Sequence, residues 1–289
     1  MTKAKSEGQA CSLFTMPNLV LLGVLLLTGC STIPTPGERI ARAEGLVSDH
    51  GWQSIILDTE PFKVRSFVEL NPERQKPLTI YIEGDGLAWK TRTEVSDDPT
   101  PTDLMWLRVA LGHTSGNTAY LARPCQFMKD INTNCNPSVW TEARFSSEVV
   151  RSMNRAITEL KRIYHATDIK LVGFSGGGAI AALVAANRDD VVRLITVAGT
   201  LDHRVWTDYH NVTPLHASLN PADYWRSLQR VPQFHFIGGR DVTVPKEVAE
   251  SYISRFPVYA RPELEVVEGF GHTCCWEKER QKLYSVVVD

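Results

Sequence analysis

The chain has 289 residues, of which 43% are hydrophobic and 22% charged, and its formal net charge is −2. That composition supplies one substantial core and excludes a disordered or fibrous polypeptide. The near-neutral balance leaves no basic face, so no nucleic-acid partner is expected. At the N-terminus, Lys3 and Lys5 precede an apolar run from Leu19 to Leu27, with small residues after it at Thr28 and Gly29. A basic start, a short apolar core and small residues before a cut form the layout of a secretory signal peptide. The run is too short to span a bilayer comfortably as a permanent helix.

Leu27-Thr28-Gly29-Cys30 resembles the lipobox of bacterial lipoproteins. The resemblance implies cleavage before Cys30, lipidation of its thiol, and anchoring by acyl chains without a spanning helix. An ordinary signal peptide with an incidental cysteine is the alternative. A start at Met16 would strip away the basic residues. Ser31 after the cysteine resembles the outer-membrane sorting default of Gram-negative lipoproteins. The expected organisation is a signal peptide over 1–29, a lipidated N-terminus and tether over 30–45, and a folded domain over 46–289. The expected location is the bacterial cell envelope, at the outer membrane facing the periplasm, with the lipid bilayer as a partner through Cys30.

Trp52–Leu57 and Phe62–Leu70 read as two strands joined by a turn at Pro61, Leu78–Ile82 as a third and Thr118–Ala122 as a fourth. Short apolar and β-branched runs bounded by turn residues carry that reading. Asp103–Leu111 reads as a helix between the last two. Cys125 and Cys135 lie in a loop-like stretch, and an oxidising envelope favours a disulfide between them over two free thiols. Closing so short a loop stabilises by roughly 2–3 kcal/mol in the chain-entropy model and would stiffen the loop after the fourth strand. Glu148–Ile163 has helical periodicity, with Val149, Met153, Ala156, Ile157, Leu160 and Ile163 on one face. Strands follow at 168–173, Val192–Ala198, near 233–237 and near 263–267, with an Ala-rich helix after the first of them. Such alternation predicts the α/β class: a mostly parallel twisted sheet of about eight strands with helices on both faces and no large lid domain.

Between strand and Ala-rich helix stands Gly173-Phe174-Ser175-Gly176-Gly177. G-x-S-x-G in that setting is the nucleophile-elbow pattern, which lifts the serine hydroxyl clear of the sheet on a strained turn. A serine needs a base to take its proton, and the base needs an acid to fix its tautomer. Asp241 follows the strand near 233–237 through Gly238-Gly239-Arg240, and His272 follows the strand near 263–267 through Glu268-Gly269-Phe270-Gly271. Both candidates thus sit past strand C-termini, where open α/β sheets gather their chemistry. The set, in the order Ser175, Asp241, His272, resembles the α/β-hydrolase superfamily over roughly residues 52–285, here as a bacterial lipoprotein member. The resemblance implies Ser175 as nucleophile, Asp241 as acid and His272 as base. It also implies an oxyanion hole from the Gly176 N–H and a second donor in the loop after the third strand. Many members carry His-Gly there; this chain has Glu83-Gly84-Asp85-Gly86, and position points to the N–H of Asp85. A carboxylate beside a developing oxyanion is unfavourable unless it points away or is paired.

The resemblance implies a serine hydrolase, foremost a carboxylesterase, working through an acyl-enzyme on a small-molecule acyl substrate with no metal or organic cofactor. The rival is a non-catalytic lipoprotein that keeps the fold as a binding module. The polar and aromatic segment between Ala198 and Val231 is expected to form one pocket wall. Asp202 is the runner-up acid, with a turn or helix cap as its alternative role. His203, His210 and His216 read as loop or surface residues, His235 as a core histidine, and His113 as a helix C-terminal cap. Cys274 and Cys275 match no structural zinc spacing and are expected as free thiols near the base.

Overall fold

The computed structural model describes residues 33–128 and 134–288. The expected signal peptide and Cys30 lie outside the described residues. Eight strands form one sheet: β1 (Trp52–Asp58), β2 (Lys63–Glu69), β3 (Leu78–Ile82), β4 (Asn117–Leu121), β5 (Ile169–Phe174), β6 (Val191–Val197), β7 (Gln233–Gly238) and β8 (Glu263–Val267). Their order across the sheet is β1-β2-β4-β3-β5-β6-β7-β8. Only β2 runs against its neighbours; the pairs from β4 through β8 are parallel. The helices are α1 (Pro36–Asp49), α2 (Met105–Leu111), α3 (Ser147–Tyr164), α4 (Gly176–Ala185), α5 (His203–His210), α6 (Trp225–Leu228), α7 (Lys246–Ser254) and α8 (Arg280–Val288). The expected α/β architecture is therefore present, without a large lid domain.

Side chains alternate along the central strands, so each feeds two cores. Leu78, Ile80, Ile82, Ala119, Leu121 and Leu171 pack on one face against α3 and α4. Tyr81, Tyr120 and Val172 pack on the other with residues of α1, α2 and α8. The periodic face expected between 148 and 163 becomes α3: Ser146 caps it by accepting the Val149 N–H, and His165 closes it in a left-handed conformation. The helix expected from Asp103 begins at Met105, because the Asp103 carboxylate accepts the Met105 N–H and stays outside the first turn.

Two expectations need correction. The segment over 30–45 does not stay a tether throughout, since α1 occupies most of it. Thr35 and Glu38 form a reciprocal capping box, and Pro36 opens the helix. Ile40, Ala43 and Val47 then fall on one side and are buried against the sheet. Arg39 is buried with them, paired to Asp98 at 3.4 Å and donating to the Thr100 carbonyl. His113 is not a side-chain cap either. Its imidazole is buried, hydrogen-bonded through Nδ1 to the Tyr81 hydroxyl at 3.1 Å and stacked on Tyr284. Burial pushes its pKa down to about 4, so it is a neutral core group.

Because Ile40 is only 1% exposed, Ile40→Ala is expected to lower the unfolding free energy by about 2–4 kcal/mol. Urea titration of the two proteins checks this. A residue in a free tether would leave the midpoint unmoved.

Candidate active site

β5 ends where α4 begins, and Ser175 is the single residue between them, with φ 52° and ψ −122°. A serine with positive φ is strained, and such strain persists only where packing over-determines the turn. Here it does. A Cβ on Gly177 would lie 2.4 Å from both the Ile82 and Glu83 carbonyl oxygens, and one on Gly173 would lie 2.4 Å from the Gly177 oxygen. Only glycines let α4 approach β3 and β5 this closely. The Ser175 N–H is held by the Val197 carbonyl of β6 at 2.9 Å, and its own carbonyl accepts the Gly178 and Thr200 N–H groups.

The loops after β7 and β8 bring the two partners in. Asp241 Oδ1 accepts the Thr243 and Val244 N–H groups at 2.9 and 2.8 Å, which locks the carboxylate. Its Oδ2 receives His272 Nδ1 at 2.9 Å, and His272 Nε2 stands 3.1 Å from Ser175 Oγ. These distances match a working base, with the imidazole bridging a fixed acceptor and a hydroxyl. Trp276 Nε1 donates to the His272 carbonyl at 3.0 Å, and the Phe174 ring lies 5.0 Å from the imidazole, so the base is held on two sides. Asp202, the runner-up acid, is occupied elsewhere. It caps α5, accepts from Asn220 and Ser251, and pairs with Arg255.

The loop after β3 lies against Ser175: a Cβ on Gly84 would be 3.3 Å from Ser175 Cβ. The N–H groups of Gly176 and Asp85 donate to no protein acceptor among the described residues. Gly176 follows Ser175 directly, and Asp85 follows Gly84, whose Cβ position adjoins Ser175. The Asp85 carboxylate that position alone made awkward is paired, with Arg123 at 3.3 Å and Arg144 at 2.7 Å. Glu83 is buried too; it accepts the Gly84 N–H at 2.8 Å and the Tyr120 hydroxyl. Burial raises its pKa to about 7 against the pull of those two donors. Arg123, buried, falls to about 10 from burial, partly offset by Asp85, and stays a cation at neutral pH. Arg123 and Arg144 were not singled out in the sequence. The need of two loop acids for partners was the only signal.

A cleft of about 350 Å³ opens over Ser175 and His272, walled by Trp89, Trp106, Phe145, Phe174, Trp206 and Leu215. Trp206 and Leu215 come from the segment after β6, which forms a wall as expected. Trp206 Nε1 and His210 Nε2 both donate to the Thr243 carbonyl, tying α5 to the acid's loop. His203 is buried rather than at the surface, stacked on Phe145, because α5 turns its first residue inward. His235 is a core histidine bonded to Thr196. Cys125 and Cys135 are bridged, with Cα atoms 5.7 Å apart. Cys274 and Cys275 are not free thiols: they form a disulfide between adjacent residues, whose cis peptide brings the Cα atoms to 3.2 Å. Among the described residues no cluster of His, Cys, Asp or Glu is arranged to hold a metal ion.

Strand order, elbow and loop positions together define an α/β-hydrolase fold, and solved structures agree. Est1E from Butyrivibrio proteoclasticus superposes with a TM-score of 0.57 at 14% identity, covering 81% of this chain and 97% of that one. The Pyrococcus furiosus esterase Pf2001 gives 0.58 at 16% identity, covering 88% and 93%. A bacterial membrane phospholipase A, described as a virulence factor, gives 0.54 at 16% identity, covering 88% and 91%. No family model matches the sequence, and no curated protein does.

The Glu83 carboxyl yields a prediction with a definite sign. Its pKa rises from 4.5 to about 7 on folding, so the folded state binds its proton more tightly. That contribution to stability is full below pH 4.5 and lost as the pH rises through about 7. Glu83→Gln should therefore be less pH-sensitive, the difference between the proteins shifting by up to about 3 kcal/mol from pH 4.5 to pH 8. Denaturant unfolding at both pH values measures it.

Proposed function

We propose that the chain is a serine hydrolase that cleaves carboxylic esters through an acyl-enzyme. The observation that carries this reading is the run of contacts from Asp241 Oδ2 through His272 to Ser175 Oγ, beside two unengaged backbone N–H groups. The Ser175 oxygen attacks the ester carbonyl carbon while His272 Nε2 takes its proton. The carbonyl oxygen becomes negative and accepts the Gly176 and Asp85 N–H groups. Collapse breaks the C–O bond, and the imidazolium gives its proton to the leaving alcohol. Water then enters and attacks the acyl carbon as His272 takes its proton; the second collapse breaks the bond to Ser175 Oγ, which takes that proton from the imidazolium, and the acid leaves. Asp241 holds the Nδ1 proton throughout and stabilises the imidazolium.

Neighbours of the same fold that are named esterases support the ester over other bonds. A cleft of about 350 Å³ suits a small-molecule substrate. The lipobox-like Leu27-Thr28-Gly29-Cys30 supports a lipid anchor in the cell envelope, at the outer membrane facing the periplasm.

Wild type is expected to hydrolyse short-chain 4-nitrophenyl esters and to label with a fluorophosphonate. Ser175→Ala should lose labelling and lower kcat by about 10⁴-fold or more. Equal turnover by both proteins would overturn the reading. For the anchor, Cys30→Ser expressed in a Gram-negative host should leave the membrane fraction, whereas an unaltered distribution would remove the lipid from the proposal.

A further inference from the structure

A cluster of ion-paired side chains lies beside Ser175 and the start of α4. Asp85 sits in the loop after β3, and its carboxylate is pressed against Gly176: a Cβ there would lie 2.1 Å from Asp85 Oδ1. Arg123, just past β4, reaches Oδ1 at 3.3 Å, and Arg144 reaches Oδ2 at 2.7 Å. The two arginines are themselves fixed. Arg123 donates to the Arg144 carbonyl, and Arg144 Nε donates to the Thr141 carbonyl at 2.6 Å. The same loop is gripped at its preceding residue, where Gln126 Nε2 donates to the Gly84 carbonyl at 3.0 Å. Gln126 in turn accepts the Arg123 N–H at 2.9 Å, and Cys125 between them is bridged to Cys135.

Resting on the hydrolase reading above, we propose that Asp85 is a positioning residue. Its carboxylate, gripped by Arg123 and Arg144, sets the Asp85 N–H against Gly176 and so fixes the geometry of the oxyanion site. Buried ion pairs add little net stability over apolar packing, but they restrict where their members sit. A hydrogen-bond donor to an oxyanion is effective only when held within a fraction of an ångström, so restriction at this place acts on rate. The arrangement also turns a liability into a neutral element. An unpaired carboxylate here would oppose the developing negative oxygen; pairing with two guanidinium groups offsets that charge.

The test compares full-length wild type with Asp85→Asn, Arg144→Gln and Arg144→Lys. The readouts are thermal melting, kcat and KM on 4-nitrophenyl butyrate, and inhibition by phenylboronic acid, whose tetrahedral adduct on serine needs the oxyanion donors. For folded Asp85→Asn and Arg144→Gln, kcat should fall by about 10- to 100-fold with KM within about 2-fold. Boronate affinity should fall in parallel, and Arg144→Lys should recover part of both. Should Asp85→Asn fail to fold because Arg123 is left buried and unpaired, Arg144→Gln carries the comparison, since it keeps the Arg123–Asp85 pair. A kcat within about 2-fold of wild type in the folded variants, or a change confined to KM, would overturn the positioning role. Wild type that neither turns over ester nor labels at Ser175 would overturn the hydrolase reading and this inference with it. Intact labelling with unchanged kcat in the variants overturns this inference alone.

Discussion

The close approach of α4 to the ends of β3 and β5 is the constraint on which the site depends. With Gly177 seated between the carbonyls of Ile82 and Glu83, the chain can pass from strand to helix in one residue, and that residue is Ser175. The positive φ there costs on the order of 1–3 kcal/mol. Burial of every residue in α4 offsets it, because the helix cannot retreat from the strands without exposing an apolar face. The same contact puts the first N–H of α4 beside the hydroxyl. It therefore sets Ser175, the N–H proposed as one oxyanion donor and the partly positive end of a helix at one point. It also forces the loop after β3 to run alongside, which is why that loop's side chains matter.

Those side chains are charged, and their burial has a cost. Glu83, Asp85, Arg123 and Arg144 are buried or partly buried, and each has a specific partner. An apolar loop of equal volume would be at least as stable, so stability does not account for the arrangement. Directional contacts do what apolar packing cannot: they hold a backbone loop in one register against the nucleophile. The bridge from Cys125 to Cys135 bears on the same loop from outside, through the segment that presents Arg123 and Gln126.

Much of this was legible in the sequence because the determining signals are local. Short apolar runs such as 78–82 and 168–173 mark central strands, and the glycines around Ser175 announce the elbow they permit. Asp241 and His272 could be placed because each follows a glycine turn just past a strand. What was not legible depends on distant partners. α1 hides in a Pro- and Thr-rich stretch, and its apolar positions at 40, 43 and 47 gain meaning only once a sheet face lies against them. Arg123 and Arg144 look like ordinary surface cations until the topology brings them to Asp85, 38 and 59 residues away. The bridge between the adjacent cysteines at 274 and 275 is not signalled by composition.

The proposed relay also draws on a gradient of exposure. The Asp241 side chain is fully enclosed, whereas that of His272 is 18% exposed. An enclosed carboxylate with two backbone donors on one oxygen has a single direction left for the other, so it orients the ring without competing for solvent. The imidazole needs the opposite. In the proposed cycle it exchanges a proton with the serine hydroxyl in both halves, with the leaving group in the first and with water in the second, and substrate and water both reach it through the cleft. A fully buried base could exchange a proton with Ser175 but not with the incoming water. The Trp276 contact to its carbonyl and the Phe174 ring beside it keep that partly open ring from swinging away. Rigidity at the acid and access at the base thus follow from the different loops that deliver them, a tight turn after β7 and a longer one after β8.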